Sequence, residues 1–157
     1  MFQKKFANIT VLAAALLVGL SNTAFAATKL EFVEQAISYS ETDGGEPGNS
    51  VEDALTVDSI LLDPNTKEQK GTKHLECLRT SQKQNGDLIV SCNETIYLPD
   101  GKIYTEGEFN ETGKLNQFKP TKLDIVGGEG AYAGAKGKEQ IIAIRLPDQY
   151  SLELVIN

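Results

Sequence analysis

Histidine and tryptophan are nearly absent from this sequence, which has 157 residues, one histidine and no tryptophan. A metal site built from several imidazoles is therefore excluded, and a Ser-His-Asp triad could form only around His74. No G-x-S-x-G elbow accompanies that histidine. We expect His74 to lie on the surface, and we predict neither a metal site nor a cofactor.

Positive charge and long apolar runs are also scarce. The chain has 15 Lys and Arg against 22 Asp and Glu, a net charge of −7. Proteins bind nucleic acids by neutralising phosphates with clustered Lys and Arg, so nucleic acid is excluded as a partner. No run after Ala27 is long and apolar enough to span a bilayer, so we predict no membrane span in the mature chain.

The first 26 residues have the pattern of a secretory signal peptide. Lys4 and Lys5 form a positive start, residues 9–20 are apolar, and Ala24-Phe25-Ala26 is an A-x-A cleavage site. The apolar run is well short of the roughly 20 residues that a membrane span needs. Cleavage after Ala26 removes two lysines and leaves one domain, residues 27–157, with a net charge of −9. We predict export, to the periplasm or the medium.

The two cysteines, Cys77 and Cys92, become candidates for a disulfide in an exported protein. They flank a turn-like stretch, residues 83–86, that lies between two segments with strand character. A four-residue loop would place the cysteines directly opposite each other, whereas a two-residue turn would make them diagonal neighbours. A disulfide and a pair of thiols, at least one facing the interior, both stay open as alternatives.

The mature chain is predicted to form short strands separated by turn residues, because no segment has a convincing helical period. The alternation is clearest near the end, where Leu152, Leu154 and Ile156 share one face. We predict about eight antiparallel strands, at residues 29–41, 51–62, 70–82, 87–98, 102–110, 120–126, 138–146 and 150–156. Such a pattern predicts an all-β fold, either a barrel or a sandwich.

The glycine-rich segment at residues 127–137 is the densest motif of the chain. Gly128, Gly130 and Ala133 match the dinucleotide-binding pattern G-x-G-x-x-A. That pattern requires a following helix, whereas residues 138–146 have strand character. We interpret the segment as a strand corner, where glycines permit a sharp bend and positive φ and Tyr132 packs over the bend.

The ordered set of motifs resembles the allene oxide cyclase and dirigent superfamily. Residues 123–137 are similar to that family's ITGGTGxYxxARG segment. Upstream, residues 92–107 resemble its CxxTxxLxxGQIxxEG segment. Residues 77–80, which come before them, also agree with the family's order of motifs. The resemblance is good over residues 70–157 and looser before them, where residues 51–63 align with the family's second strand. It implies an eight-stranded antiparallel β-barrel with a largely apolar interior, trimeric in plant members. Barrels of this size can hold one small ligand.

The residues that the family uses for chemistry are largely replaced in this chain. The first-strand Glu of the plant cyclase aligns with Ser38, its companion Asn with Ser40, and a second-strand Asn with Ser59. Lys136 stands where dirigent proteins have the Arg of their ARG triplet. Cys77 matches the cysteine that lines the plant cyclase cavity. The resemblance therefore favours a binding barrel over a cyclase or a dirigent enzyme.

We predict that the barrel binds a small apolar or aromatic molecule without changing it. The ligand-binding candidates offer a polar group or an aromatic body with a polar tip: Cys77, Arg79, Asp58, Tyr97, Tyr104 and Tyr132. One alternative is a cyclase-like or dirigent-like enzyme that uses Arg79, Asp58 and Cys77 as its polar set. Another is a solidly filled barrel that acts through its surface. The family trimer also implies a homo-oligomer.

Overall fold

Eight antiparallel strands form the part of the chain that the computed structural model describes, residues 27–111, 120–145 and 148–157. Each strand pairs with the next in sequence, and the last pairs with the first, which closes the barrel. The predicted eight-stranded antiparallel β-barrel is thus confirmed. The strands are β1 (Thr28–Thr42), β2 (Ala54–Leu62), β3 (Gln69–Gln82), β4 (Leu88–Leu98), β5 (Gly101–Glu111), β6 (Thr121–Gly130), β7 (Gly137–Arg145) and β8 (Gln149–Ile156).

Side chains alternate between the interior and the outer face of the barrel, as the two-residue period of a strand requires. Inward apolar side chains pack one end of the barrel solidly, and each fully buried Leu or Ile contributes about 1.5–3 kcal/mol. This cluster consists of Phe32, Leu61, Ile96, Ile103, Ile125, Ala135, Leu152 and Leu154. A smaller cluster of Cys77, Val90 and Cys92 lies on β3 and β4 away from this end. The filled-barrel alternative therefore describes only one half of the interior.

The hairpin between β3 and β4 brings the two cysteines together as a disulfide, Cys77–Cys92. They lie directly opposite each other, as one of the two predicted registers requires. The loop is one residue longer than expected, because Gln82 pairs with Leu88 rather than with Asp87. A bulge within β3 shifts the register by one residue and restores the cysteine pair.

The glycine-rich segment is a strand corner, as predicted. It leaves β6 at Gly130, turns over residues 131–134 and enters β7 at Gly137. Gly130 has a φ of 63° and Gly134 a φ of 77°, both in the left-handed region that favours glycine. Tyr132 packs against the solid end of the barrel. Because a strand follows the motif, it has no helix N-terminus to meet a dinucleotide.

Two sequence-based predictions fall wholly or partly outside the described residues. The signal peptide, residues 1–26, lies entirely outside them. So does residue 146, the last residue of the seventh predicted strand. In the described ranges, no helix is long and apolar enough to cross a membrane.

Candidate functional site

An open cavity of about 470 Å³ occupies the half of the barrel away from the solid end. All eight strands contribute to its wall, because each turns alternate side chains inward. Most of the lining is apolar and includes Ala36, Leu55, Val57, Leu75, Phe109, Leu123 and Ile141. The charged groups of the lining lie at the floor, next to the solid end, and around the mouth. The interior thus offers an apolar chamber with polar groups at both ends.

A buried ion cluster forms the floor of the cavity. The Lys73 Nζ atom lies 2.7 Å from a Glu34 oxygen and 3.3 Å from a Glu94 oxygen. Ser59 donates a hydrogen bond to Glu34 at 2.8 Å, and Thr105 donates one to Glu94 at 3.2 Å. Burial disfavours a charged lysine, but the neighbouring carboxylates outweigh burial and raise the pKa of Lys73 above its ordinary 10.5. Lys73 is therefore a buried cation between two carboxylates.

A third carboxyl group, that of Glu139, lies beside this cluster. Glu139 is 0% exposed, and neither of its carboxyl oxygens has a hydrogen-bond partner among the described residues. Burial first, and then the negative charge of Glu94, raises the pKa of Glu139 well above its ordinary 4.5. Proton uptake relieves the cost of burying this group without a partner, since a protonated Glu139 can donate to Glu94. The floor thus holds a titratable proton.

Glu139→Gln should stabilise the fold at pH 8, by about 1 kcal/mol or roughly 3 °C in Tm. The pKa of Glu139 is higher in the folded state than in the unfolded state, so the wild type loses stability as the pH rises from about 4.5 through the folded value. Below that window both states hold the proton and the advantage of the variant should vanish. Thermal unfolding at several pH values measures the difference, with Glu106→Gln on the outer face as the control. A gain in stability for Glu139→Gln that does not depend on pH would contradict a raised pKa for Glu139.

Arg79 forms a network of ion pairs, here called the tie, across the mouth of the cavity. Its guanidinium contacts Glu111 at 2.9 Å, Glu41 at 2.6 Å and Asp53 at 3.1 Å. Backbone N–H groups, that of Ser50 foremost, donate to Asp53 and lower its pKa below the usual 3.8. The tie joins β1, β3, β5 and the segment before β2. Arg79 therefore holds the mouth in shape, and three carboxylates of the chain itself already occupy its donors.

Two of the six predicted ligand-binding residues, Cys77 and Arg79, line the cavity. The structure does not bring the other four to it. Tyr132 lies at the opposite, solid end of the barrel. The remaining three are on the outer face, because each stands next to an inward side chain in a strand whose side chains alternate: Asp58, Tyr97 and Tyr104.

These outward residues have partners of their own. Tyr97 is 43% exposed, and Lys102 Nζ lies 5.7 Å from the centre of its ring. The Tyr104 hydroxyl donates a hydrogen bond to Glu129. Asp58 lies 2.7 Å from His74 Nδ1. The strand pattern identified the two faces, but not which of them turns inward.

Asp58→Asn should lower the pKa of His74, because the hydrogen bond that His74 donates to Asp58 raises this pKa above its ordinary 6.5. His74 lies on the surface, as expected, and is the single histidine of the chain, so one imidazole signal reports its titration in an NMR experiment. Protonated His74 stabilises the fold below about pH 6.5, and this contribution is lost as the pH rises through the folded pKa. Glu76→Gln, at the longer 3.4 Å contact, should have a smaller effect. An unchanged titration in Asp58→Asn would refute the pairing.

Sequence reasoning missed the four charged residues of the floor, Glu34, Lys73, Glu94 and Glu139. A signal for two of them exists in the strand pattern. Lys73 and Glu94 are in phase with the inward Cys77 and Cys92, so each places a charge where alternation predicts an apolar side chain. Among the described residues, no group of three or more His, Cys, Asp or Glu could hold a metal ion.

The family model described as "Allene oxide cyclase barrel like domain" matches residues 33–156 of the chain. No curated protein matches the chain. A solved structure named as a pyocyanin demethylase is 25% identical, with a TM-score of 0.70, over 83% of this chain and 100% of that one.

Two further solved structures show likeness of fold alone. A Diels–Alderase from Streptomyces koyangensis is 19% identical, with a TM-score of 0.68, over 82% of this chain and 63% of that one. A pterocarpan synthase dirigent protein is 15% identical, with a TM-score of 0.66, over 83% of this chain and 89% of that one. The barrel is thus shared by proteins with different named activities, so the site has to carry any functional argument.

Proposed function

This chain belongs to the allene oxide cyclase barrel-like family, and from that premise we propose that it binds one small apolar or aromatic molecule inside its barrel. The cavity of about 470 Å³ is the observation that supports this proposal. Small-molecule sites enclose about 300–1,000 Å³, with apolar walls and a few fixed polar groups. The walls here are apolar and the polar groups lie at the two ends, so a ligand would be both enclosed and oriented.

Leu75→Trp tests the proposal by filling the cavity from its wall. Leu75 lines the cavity, and an indole in its place would occupy space that the ligand needs. Affinity for an apolar fluorescent dye should fall at least about tenfold, a loss of about 1.4 kcal/mol. The wild type has no tryptophan, so the emission of the new residue also reports whether it is buried.

Leu78→Trp is the matched control, because Leu78 lies on the outer face of the same strand and is 45% exposed. It should leave dye binding unchanged. Circular dichroism should show that both variants keep the fold of the wild type. Dye binding that Leu75→Trp leaves intact, or that both variants lose equally, would overturn the interior site.

A cyclase-like or dirigent-like enzyme is the second candidate, and the fully buried carboxyl group of Glu139 beside Glu94 is the observation that favours it. A proton on Glu139 can pass to Glu94, and Glu94 can give it to a bound molecule and take one back. Glu94 lines the cavity, so it is the group that a ligand would meet. Pyocyanin demethylase, the relative at 25% identity, is named for an activity on a small molecule.

A screen of polyene, epoxide and phenolic substrates tests this second candidate. Turnover by the wild type that Glu94→Gln loses, while dye binding persists, would support an enzyme. Absence of turnover with every substrate class would leave the binding function alone. The wild-type assay needs no added metal or cofactor under this proposal.

We also infer that the chain is exported after cleavage at Ala26. The lysine start, the apolar run and the A-x-A site support export, and the disulfide suits an oxidising compartment. The intact mass of the protein recovered outside the cytoplasm tests this inference. Loss of residues 1–26 is the expected result, and a full-length chain retained inside the cell would contradict it.

A further inference from the structure

More carboxylates than cations bound the cavity at both ends. At the floor, Lys73 faces Glu34 and Glu94, and Glu139 lies beside them. Even with Glu139 protonated, two carboxylates face one lysine there. The walls between the two ends are apolar and provide no compensating charge.

The mouth of the cavity also has more carboxylates than cations. Arg79 is its cation, and it contacts the carboxylates of Glu41, Asp53 and Glu111. Arg79 and Glu111 line the cavity, and Glu41 and Asp53 lie behind them, so the mouth as a whole holds three acids and one base. Water screens the half-exposed acids Glu41 and Glu111 at the mouth, whereas the buried charges of the floor act more strongly than they would in water.

Hydrogen bonding at the floor favours the same sign of charge. Glu34 and Glu94 line the cavity there, and both are acceptors. Lys73, Ser59 and Thr105 donate to them, and a carboxylate can accept more hydrogen bonds than these. A ligand that donates hydrogen bonds fits this floor, whereas one that only accepts them does not.

Aromatic rings complete the lining. Tyr39, Phe109 and Tyr150 contribute to the cavity from three different strands. Aromatic faces attract both planar rings and cations, because their quadrupoles are negative over the ring. The aromatic rings and the excess of carboxylates in the lining thus both favour a planar ligand with a positive charge.

We propose that the cavity selects a planar aromatic molecule that carries a positive charge or a protonated amine, and that it rejects apolar molecules that carry a carboxylate. The proposal rests on the proposed binding function and adds the chemical class of the ligand. Glu34 and Glu94 at the floor and Glu111 at the mouth are the acids of the lining that supply the selectivity. A carboxylate-bearing ligand would bring a like charge against both ends of the cavity.

Three probes with one ring system test the proposal: 9-aminoacridine as the cation, acridine as the neutral molecule, and acridine-9-carboxylate as the anion. Titration calorimetry at neutral pH should give an affinity for the cation at least about tenfold above that for acridine. The anion should bind at least about tenfold more weakly than acridine. Added salt should reduce the difference only partly, because enclosed charges are screened less than exposed ones.

Glu94→Gln removes one negative charge from the floor. It should reduce the difference in affinity between the cationic and the anionic probe, while acridine still binds. Glu111→Gln makes the same test at the mouth, so the proposal stays testable if the floor variant does not fold. Glu106→Gln, on the outer face, is the control for general attraction of cations to an acidic protein. It should leave the difference in affinity between the two charged probes unchanged.

Acridine binding with equal affinity for all three probes, or with the anion preferred, would overturn the ligand class and leave the binding function standing. A preference for the cation that Glu106→Gln reduces as much as Glu94→Gln does would also overturn it. Absence of binding by all three probes would overturn the cavity as a binding site, and the ligand class with it.

Discussion

Lys73→Met should lower the free energy of unfolding by about 3–5 kcal/mol at neutral pH. Lys73 is 1% exposed at its side chain and lies between two carboxylates that are also buried. Without it, Glu34 and Glu94 would keep buried negative charges with no cation to offset them. Methionine is similar to lysine in length and apolar, so the loss should report the missing charge rather than missing volume.

Urea unfolding at neutral pH measures the loss of stability caused by Lys73→Met. Lys138→Met is the matched control, since Lys138 is 67% exposed and pairs with Asp124 on the surface. A surface pair contributes about 0–1 kcal/mol. A Lys73→Met variant about as stable as this control would contradict the ion cluster.

Replacing both cysteines, Cys77→Ala with Cys92→Ala, should lower the free energy of unfolding by about 3 kcal/mol. The bond joins residues 15 apart in sequence, and a loop of that length restricts the unfolded chain appreciably. Both cysteines also line the cavity, so the double variant should loosen its wall. Dye affinity is therefore expected to fall together with stability.

The reduced wild type is the control for the cysteine pair. Refolded in the presence of dithiothreitol, the wild type should be about as stable as the double variant. The variant itself should not respond to dithiothreitol. A double variant as stable as the oxidised wild type would show that the cross-link contributes nothing to the fold.

Most of the fold was predictable because its signals are local. Strand alternation and turn residues repeat along the chain, and they located all eight strands. The cysteine register followed from one hairpin. The glycine-rich corner was also predictable, because the positive φ values at Gly130 and Gly134 lie in a region that favours glycine.

The site was harder to predict because it depends on which face of each strand turns inward. A bulge in β1 between Ala36 and Ser38 changes the phase of the strand, so Ala36 and Tyr39 both line the cavity although they are three residues apart. Two partners in the floor cluster, Glu34 and Lys73, are 39 residues apart. Only closure of the barrel brings such residues together, and the pattern within a single strand does not show it.

Family alignment had the same difficulty. It placed the family's first-strand glutamate on Ser38, which is exposed on β1. The buried glutamate of that strand is Glu34, and Ser59 of β2 donates to it. Absence of an acid at the aligned position thus gave no information about acids elsewhere on the strand. The carboxyl groups of the floor became visible only with the side chains in place.

Native mass spectrometry tests the central claim, that the cavity holds a small molecule, most directly. Wild type and Leu75→Trp would be purified side by side from a host that exports them, and native and denatured masses compared. The account predicts an added mass on the wild type that disappears on denaturation and is absent from Leu75→Trp. A bare wild type, or the same added mass on both proteins, would contradict it.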